Sequence, residues 1–418
     1  MGRQFLSAMI SMTVILGTAI AVPAEEAPLY EASLLFETEA LRLQNGRVSH
    51  NHSPSLVETP EGNLIACWFH GHGERGDNTM VVLGARRKQG ASVWSEPFVM
   101  ADHKNLPDQN PTLFIDPQGR LWLFRISSLD NEVRGHFITY LVSTDYEGDG
   151  APNWTWQAPL FCFPQELEKT YAEAVDQAIA AGSIPEDQVD AFLEKKTMAK
   201  EKLWHRLGWM PRQPPIMLDE RRMMLGLYSD LWGCSLLAFT EDGGNTWEFS
   251  KPMIFPESLI TLNVQPSLVL KQNGNLVAFM RGRRGDRHVQ RAESTDGGLT
   301  WTRDPCGIKC NDSSVAVLGL KSGNWLLAVN DVRGRSVLNV CLSDDEGRTW
   351  NWSRTLERFK PGQGSGQYPT LIQSADGSIH IVYTHQDAAR FDGRTIKHVR
   401  FNEAWVMAGD DGVSHTDH

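Results

Sequence analysis

Six stretches of the chain share one pattern of apolar and polar positions. Each begins at a proline or serine, continues as a short apolar run, passes through a polar turn containing Gly or Asp, and ends in a second apolar run. This pattern predicts two strands joined by a hairpin turn. The six hairpins begin at Pro54, Pro111, Pro215, Pro266, Ser313 and Pro369, and the copy at Pro215 matches the pattern more loosely than the others.

A second repeat lies between the hairpins. The segments Thr240–Trp247, Ser294–Trp301 and Ser343–Trp350 share the frame [ST]-x-D-x-G-x-T-W, and degenerate relatives end at Trp94 and Trp156. In such a tight turn the Asp accepts hydrogen bonds from turn amides, the Gly supplies a positive φ and the Trp packs into the core. We therefore interpret the aspartates of these turns as structural.

The spacing of the hairpins predicts an all-β, six-bladed β-propeller. Successive hairpins begin 57, 104, 51, 47 and 56 residues apart. A blade of four strands fits that period, and closing six blades into a ring leaves few exposed edges. The longest interval contains a segment of helical periodicity, at about residues 164–212, with a break at Ser183–Pro185. We expect a helical hairpin that projects from a loop as a rim or lid element.

The N-terminal segment predicts export. Arg3 precedes an apolar run from Phe5 to Val22, and small residues at Val22–Ala24 follow it, which is typical of a signal peptide. An uncleaved membrane anchor is the alternative, although the run is short for a spanning helix. We predict a signal peptide over residues 1–24 and a mature propeller over residues 25–418. The mature protein would be periplasmic or extracellular, without stable insertion in a membrane.

The net charge of the chain argues against some classes of binding partner. The 418 residues carry a net charge of −11, with a pI near 5.6, which argues against nucleic acid or an anionic membrane as the main partner. A local cluster of arginines can still bind an anionic small substrate. The spacing of His50 with His52, and of His70 with His72, leaves a zinc site as an alternative. Histidines also suit sugar hydroxyls, and we predict neither a metal nor a cofactor.

Polar side chains recur at equivalent positions of the predicted blades. The innermost strands of a propeller line one central funnel, so these positions converge in space. The residues just before each hairpin, and those at the end of its second strand, are amides, acids, imidazoles, guanidiniums or phenols at nearly every blade. Such a funnel suits a hydroxylated, partly charged ligand. The candidate ligand-binding residues are His50, His52, Asn110, Gln265, Asp312 and His385.

From about residue 50 to residue 400 the sequence resembles the bacterial sialidase-like proteins with BNR (Asp-box) repeats, which belong to the neuraminidase superfamily. The three D-x-G-x-T-W turns, the hairpin phrases and the C-terminal motifs GQYPTLIQ and IHIVYTH carry the resemblance. Sialidases of this superfamily hold the substrate carboxylate with three arginines. They use an Asp as acid/base and a Tyr nucleophile that is activated by a Glu.

Four residues match that machinery. Tyr368 lies where the nucleophile of the family falls, and Arg281 and Arg335 resemble the second and third arginines of the clamp. Asp77 lies in the loop after the first hairpin, where the acid/base Asp belongs. The resemblance therefore implies that Asp77 and Tyr368 are catalytic and that the two arginines bind substrate.

Two elements of the machinery are missing. His52 stands where the first arginine is expected, and the strand at Asn263–Gln265 contains no acid where the activating Glu is expected. Losing one bidentate contact weakens a carboxylate clamp by about 1.5–3 kcal/mol. A tyrosine without a carboxylate base is also less readily activated.

Together these observations favour an exported glycoside hydrolase acting on a terminal sugar, preferentially an acidic one. A glycan or glycoconjugate would be its substrate. The alternative is a non-catalytic glycan-binding propeller, which the two missing elements support. A third interpretation is a scaffold whose helical insertion docks a partner.

Overall fold

The computed structural model describes residues 26–41, 49–73, 78–283, 287–390 and 392–410. Within these residues six antiparallel sheets form the blades of a β-propeller, so the predicted all-β, six-bladed fold is confirmed. Each predicted hairpin supplies the two strands nearest the central axis of its blade, and the remaining strands follow outward. The predicted signal peptide, residues 1–24, lies outside the described residues.

The strands are numbered along the chain, and the first, β1 (Tyr30–Leu34), belongs to the last blade. Blade 1 contains β2 (His50–Glu58), β3 (Leu64–Gly71), β4 (Val81–Arg87) and β5 (Phe98–Ala101). Blade 2 contains β6 (Gln109–Ile115), β7 (Leu121–Ser128), β8 (His136–Ser143) and β9 (Trp156–Leu160). Blade 3 contains β10 (Met210–Pro211), β11 (Ile216–Met217), β12 (Met223–Ser229), β13 (Cys234–Thr240) and β14 (Glu248–Phe249).

The remaining three blades follow in the same order. Blade 4 contains β15 (Val264–Leu270), β16 (Leu276–Arg281), β17 (Gln290–Ser294) and β18 (Thr302–Arg303). Blade 5 contains β19 (Ala316–Gly319), β20 (Trp325–Val329), β21 (Val337–Ser343) and β22 (Trp352–Arg358). Blade 6 contains β23 (Gly364–Gln373), β24 (Ile379–Asp387) and β25 (Thr395–Phe401), with β1 as its outermost strand.

The ring closes through strands from both ends of the described chain. β1 pairs antiparallel with β25, so that Tyr30 lies opposite Phe401. Just before this strand, the Leu29 amide donates to the side chain of Asn402 at 2.9 Å, and the ring of Tyr30 stacks on Trp405 at 4.8 Å. The sequence analysis did not place this strand, because its short segment has no matching hairpin partner nearby.

The turns with the D-x-G-x-T-W frame pack blades 3, 4 and 5 against the blade that precedes each of them. In the turn of blade 4, the carboxylate of Asp296 accepts from the Thr300 amide at 3.0 Å and from the Thr300 hydroxyl at 2.5 Å. Gly298 has a φ of 88°, and a Cβ added there would lie 2.8 Å from Leu237 of blade 3. The glycine is therefore required by both its conformation and the close approach of the blades. Matching carboxylate contacts are made by Asp242 and Asp345.

The innermost strand of blade 3 is split. β10 and β11 both pair with β12, and Arg212, Gln213, Pro214 and Pro215 separate them. Two successive prolines supply no backbone N–H, so a continuous ladder cannot form there. This explains why the hairpin at Pro215 matches the repeat more loosely than the other five.

Five helices lie in the described residues: α1 (Leu167–Ala180), α2 (Val189–Met198), α3 (Lys202–Arg206), α4 (Ser258–Thr261) and α5 (Glu403–Met407). The first three lie within residues 164–212, the segment of helical periodicity. The buried residues of α1 include Leu167, Tyr171 and Ala178, which share one face of the helix. The ring of Tyr171 packs against Trp232 of blade 3 at 5.3 Å, so α1 lies on that blade. No helix in these residues is long and apolar enough to cross a membrane.

Candidate active site

A backbone irregularity recurs where the inner strands reach the funnel. The pairing of the first two strands shifts register in blades 1, 2, 4 and 6, at the proline that starts each hairpin phrase. A positive φ is uncommon for a residue other than glycine and stores strain, and such residues cluster at functional sites. Positive φ values of 46–58° occur at Ser53, Asn110, Gln265, Asp312 and Tyr368.

The hydroxyl of Tyr368 is held by two donors. Arg281 Nη1 donates to Tyr368 Oη at 2.8 Å, and Gln265 Nε2 donates to the same oxygen at 3.2 Å. The orientation of the Gln265 amide follows from its other contact. Its Oε1 accepts from Arg281 at 3.3 Å, and a guanidinium can only donate. Both donors favour negative charge on the phenolic oxygen.

Two further arginines lie against the ring of Tyr368. The guanidinium carbons of Arg212 and Arg335 lie 5.2 Å and 5.3 Å from the ring centroid. Arg212 is 0% exposed and donates to the Pro369 carbonyl at 3.0 Å. Burial lowers the pKa of Arg212 to about 10, so the side chain remains positively charged near neutral pH. The sequence analysis missed Arg212, although it lies three residues before the hairpin start at Pro215.

His52 packs beneath the tyrosine. Its ring centroid lies 4.1 Å from that of Tyr368, and its Nδ1 is within hydrogen-bond distance of the Thr384 hydroxyl, at 2.9 Å. The side chain is 3% exposed. Burial, and then the positive charge of Arg394, lower the pKa of His52 well below 6.5, which keeps the imidazole neutral. His52, which stands where the resemblance to sialidases leads one to expect the first arginine, therefore supplies no positive charge.

Asp312 balances the charge of Arg281. Its Oδ1 lies 2.6 Å from Arg281 Nη2 and 3.7 Å from Arg283 Nε. Arg283 also pairs with Asp230 at 3.0 Å. The carboxylate predicted to bind a ligand thus orients the arginines beside Tyr368.

Arg335 reaches the same region from the loop before β21. Its backbone has a φ of 59°, and its Nη2 donates to the main-chain carbonyl of Asp312 at 2.7 Å. Its Nη1 donates to the side-chain oxygen of Gln367. Both acceptors are neutral oxygens, so these contacts position the guanidinium without cancelling its charge.

Asn110 joins the cluster through a buried tyrosine. Asn110 Nδ2 donates to Tyr228 Oη at 3.0 Å, and Gln265 Nε2 lies 3.3 Å from the same oxygen. Burial, and then the charge of Asp230, raise the pKa of Tyr228, so it remains a neutral hydroxyl. The sequence analysis missed Tyr228, although it lies two residues before Asp230 at a strand end.

His385 lies in a different network. Its Nδ1 is 3.4 Å from Glu357 Oε1, and its ring packs on Phe359 at 5.7 Å. Glu357 also pairs with Lys397. Burial raises the pKa of Glu357, but the hydrogen bond from His385 and the charge of Lys397 outweigh it and lower that pKa to about 2. These contacts tie blade 6 to blade 5.

His50 and Asp77 are the other two residues that the sequence analysis assigns to the site. His50 packs on Phe69 at 5.5 Å, and its Nε2 lies 3.5 Å from Arg394 Nη1. Asp77, the predicted acid/base, lies outside the described residues. Within the described part of the chain, no group of three or more His, Cys, Asp or Glu residues is placed to hold a metal ion.

The sequence and the fold of this chain can be compared with those of known proteins. The BNR repeat-like domain matches residues 62–174 and 184–381, which together exceed half of the chain. The chain belongs to the BNR repeat-like domain family. The residues between the two matched segments lie at the end of α1 and in the turn after it, inside the helical insertion.

Solved structures share the fold of this BNR repeat-like protein. A leech intramolecular trans-sialidase in complex with 2,7-anhydro-Neu5Ac is 13% identical, with a TM-score of 0.65 over 90% of this chain and 71% of that chain. A protein of unknown function from Dyadobacter fermentans is 17% identical, with a TM-score of 0.64 over 89% and 98%. An α-L-arabinanase from Penicillium chrysogenum, complexed with arabinobiose, is 12% identical, with a TM-score of 0.54 over 89% and 98%. The predicted resemblance to sialidase-like propellers is confirmed at the level of the fold.

Proposed function

We propose that this protein is an exported glycoside hydrolase that releases a terminal acidic sugar. The observation that carries the proposal is the hydroxyl of Tyr368, which accepts hydrogen bonds from Arg281 and Gln265 and lies beside a second cation, Arg335. A nucleophilic oxygen with preorganised donors and a neighbouring positive charge suits both covalent catalysis and the binding of an anionic sugar. The fold shared with a trans-sialidase and an arabinanase supports a sugar substrate.

The proposed reaction has two steps. Tyr368 first loses its phenolic proton to water, and Arg281 and Gln265 stabilise the resulting oxygen anion. That oxygen attacks the anomeric carbon while the Asp77 carboxyl gives its proton to the leaving oxygen, so the glycosidic bond breaks as the bond to tyrosine forms. Water then attacks the same carbon, Asp77 takes a proton from it, and Tyr368 leaves.

Release of sugar from a panel of terminal glycosides tests the proposal. The wild type is compared with Asp77→Asn, Tyr368→Phe and the control Asp149→Asn, whose native carboxylate is exposed and pairs with Lys88 at 3.1 Å. We expect kcat to fall roughly 10²–10⁴-fold when the acid or the nucleophile is removed, and to stay unchanged in the control. Equal release by wild type and Asp77→Asn would remove Asp77 from the mechanism.

A second candidate function is a glycan-binding propeller without catalysis. The amide of Gln265 favours it, because the group facing the tyrosine hydroxyl is a donor and cannot accept its proton. A glycan array combined with the release assay separates the two functions. Binding at micromolar concentration, with no turnover of any bound glycan, would favour the non-catalytic protein.

A further inference from the structure

Arg212 is a fully buried cation whose described hydrogen-bond acceptors are neutral. Its Nη1 donates to the Thr370 hydroxyl at 3.2 Å, and its Nη2 donates to the Pro369 carbonyl at 3.0 Å. Its Nε has no hydrogen-bond partner among the described residues. The titratable groups near its guanidinium are those of Cys67, Tyr228 and Tyr368, and no described carboxylate is among them. Burying a charge in this state is costly, and stability of the fold alone does not explain it.

The break in the innermost strand of blade 3 places this cation between opposite blades. Two prolines interrupt the ladder between β10 and β11, so Arg212 and Gln213 are not paired with β12. Both side chains cross to blade 6 instead. Gln213 Nε2 donates to the same Pro369 carbonyl at 3.0 Å, and to the Val315 carbonyl at 2.7 Å. Two neighbouring residues thus make the same kind of contact across the axis, and one of them carries a charge.

Tyr368 is the group beside Arg212 that can become negative. The guanidinium carbon lies over the tyrosine ring, 5.2 Å from its centroid. The negative charge of a phenolate spreads into the ring, so a cation over the ring stabilises the phenolate more than the neutral phenol. Burial raises the pKa of Tyr228 and of Cys67, which keeps both of these neighbours protonated. The charge of Arg212 therefore acts chiefly on Tyr368.

The other described groups around this phenol act on it less directly. Arg281 donates to the hydroxyl, but its charge is partly cancelled by Asp312 at 2.6 Å. His52 packs on the ring and is neutral. Arg335 lines the open cavity, where water and salt screen its charge. Arg212 is 0% exposed, so its charge is screened much less.

We propose that Arg212 is a positioning residue that acts through Tyr368, because its buried charge stabilises the phenolate formed when the phenolic proton leaves to water. The inference rests on the proposed function for the role of Tyr368 as the nucleophile. The amide of Gln265 donates to the same hydroxyl and cannot take its proton. The fixed cation over the ring would supply by electrostatics part of the activation that this amide does not supply.

Titration of the tyrosine phenols tests the inference without requiring turnover. The ultraviolet absorbance of ionised phenol is followed as the pH rises, and subtracting the curve of Tyr368→Phe leaves the titration of Tyr368. Burial raises the pKa of Tyr171 and of Tyr383, which separates their ionisation from this curve. The quantity compared is the pH at which the Tyr368 phenol begins to ionise, because Arg212 itself has a pKa of about 10.

The variants are Arg212→Met, Arg212→Gln and the control Gln213→Met, each measured with and without Tyr368→Phe. Gln213→Met is matched to Arg212→Met, because each loses one donor to the Pro369 carbonyl. The control removes no charge. Sugar release is measured in the same proteins, with kcat and KM determined separately from neutral to alkaline pH.

Both neutral variants of Arg212 should raise the onset of the Tyr368 titration by about 1–2 pH units, because a buried charge about 5 Å from the ring is lost. Near neutral pH their kcat should fall roughly 10–100-fold with KM within about twofold, since each pH unit changes the phenolate fraction tenfold. The deficit in kcat should shrink as the pH rises and the phenol ionises. Gln213→Met should match the wild type in the titration and in its pH profile.

Failure of the inference and failure of the proposed function give different results. An unchanged onset in both Arg212 variants, with sugar release by the wild type, would overturn the role of Arg212 and leave the hydrolase standing. A raised onset in these variants, with no sugar released by the wild type from any glycoside, would overturn the hydrolase and support the effect of the charge on Tyr368.

The control decides between charge and structure. An equal rise of the onset in Gln213→Met would assign the effect to the lost contact between blades and would overturn the inference. Thermal unfolding checks that each variant is folded. If Arg212→Met does not fold, Arg212→Gln carries the test, because its amide can still donate to the Pro369 carbonyl while the charge is absent.

Discussion

Gln265 and Tyr368 are joined by a hydrogen bond of 3.2 Å in which the amide is the donor. A carboxylate of the same length would accept the phenolic proton instead, as the activating Glu does in the sialidases that the sequence resembles. The neighbouring Arg281 would then face a negative oxygen in place of the neutral Oε1 that it contacts at 3.3 Å. One atom at position 265 thus decides whether that side chain donates to the tyrosine hydroxyl or can accept its proton.

Gln265→Glu is expected to raise kcat on an acidic glycoside by at least about tenfold, because the new carboxylate supplies general-base assistance to Tyr368. Initial rates of sugar release measured from about pH 3 to 8 check this, with the gain vanishing at the acidic end, where the carboxyl is protonated. The double variant Gln265→Glu/Tyr368→Phe is the control and should show no gain. An unchanged rate in the single variant, with the fold intact, would argue that the tyrosine is not the nucleophile.

Part of this site could be predicted from single residues. Repeat positions and the family resemblance located Tyr368, Arg281 and Arg335, and the structure brings them together around one ring. The contacts of Arg212 and Arg394 could not be predicted in this way, because each crosses from one blade to another. Whether a guanidinium reaches across depends on how the blades are placed, which a linear pattern does not record.

At the scale of the elements, the D-x-G-x-T-W turns make contacts between blades through a glycine. At Gly298 the φ is 88°, and a Cβ would lie 2.8 Å from Leu237 and 2.9 Å from Met224. Gly274, in the hairpin of the same blade, has the same φ of 88° with no heavy atom within 4 Å of such a Cβ. The two positions therefore share backbone strain and differ in packing.

Gly298→Ala is expected to lower the free energy of unfolding by about 2–5 kcal/mol, the sum of left-handed strain and overpacking. Gly274→Ala should cost only the strain, about 1–2 kcal/mol. Urea denaturation of both variants and the wild type measures the difference. Equal losses in the two variants would show that the contact between blades carries no packing energy at Gly298.

The sequence predicted the hairpins and turns because each is a local unit with its own turn residues. It did not predict β1, whose five residues are mostly exposed and pair with β25 at the other end of the chain. It also took the hairpin at Pro215 as a looser copy of the others, where the structure has the split pair β10 and β11. The local pattern of apolar and polar residues predicts neither feature. The pairing of β1 depends on a strand at the other end of the chain, and the split between β10 and β11 depends on the missing N–H groups of two prolines.

At the scale of the whole molecule, the closing blade contains a buried pair of histidines. His380 Nδ1 and His398 Nε2 are 2.9 Å apart, and their rings stack at 5.1 Å. Burial, and then the charges of Arg87 and Arg400, lower the pKa of His380 from 6.5 to about 4. Burial, followed by the charge of His380, lowers the pKa of His398 well below 6.5. Both rings are neutral in the folded protein.

This pair makes stability fall as the pH falls. Between pH 6.5 and about 4 the unfolded chain binds protons that the folded protein does not, so the stabilisation present above pH 6.5 is lost progressively over that window. His380 alone contributes a loss of roughly 3 kcal/mol across it. Thermal unfolding midpoints measured every half pH unit check this. His380→Gln should flatten the dependence, and His72→Gln, which replaces an exposed histidine, should not.

The pairing of β1 with β25 also sets the order of events during synthesis. The hydrogen bond between Leu29 and Asn402 spans 373 residues. At a translation rate of 5–20 residues per second, β1 emerges roughly 20 to 75 seconds before its partner exists. Until then the first strand has no ladder to join, and the ring stands open with an unpaired edge that can template association with another chain. Closure is thus the last folding event of the nascent protein, and any chain that stops short of β25 keeps that edge permanently.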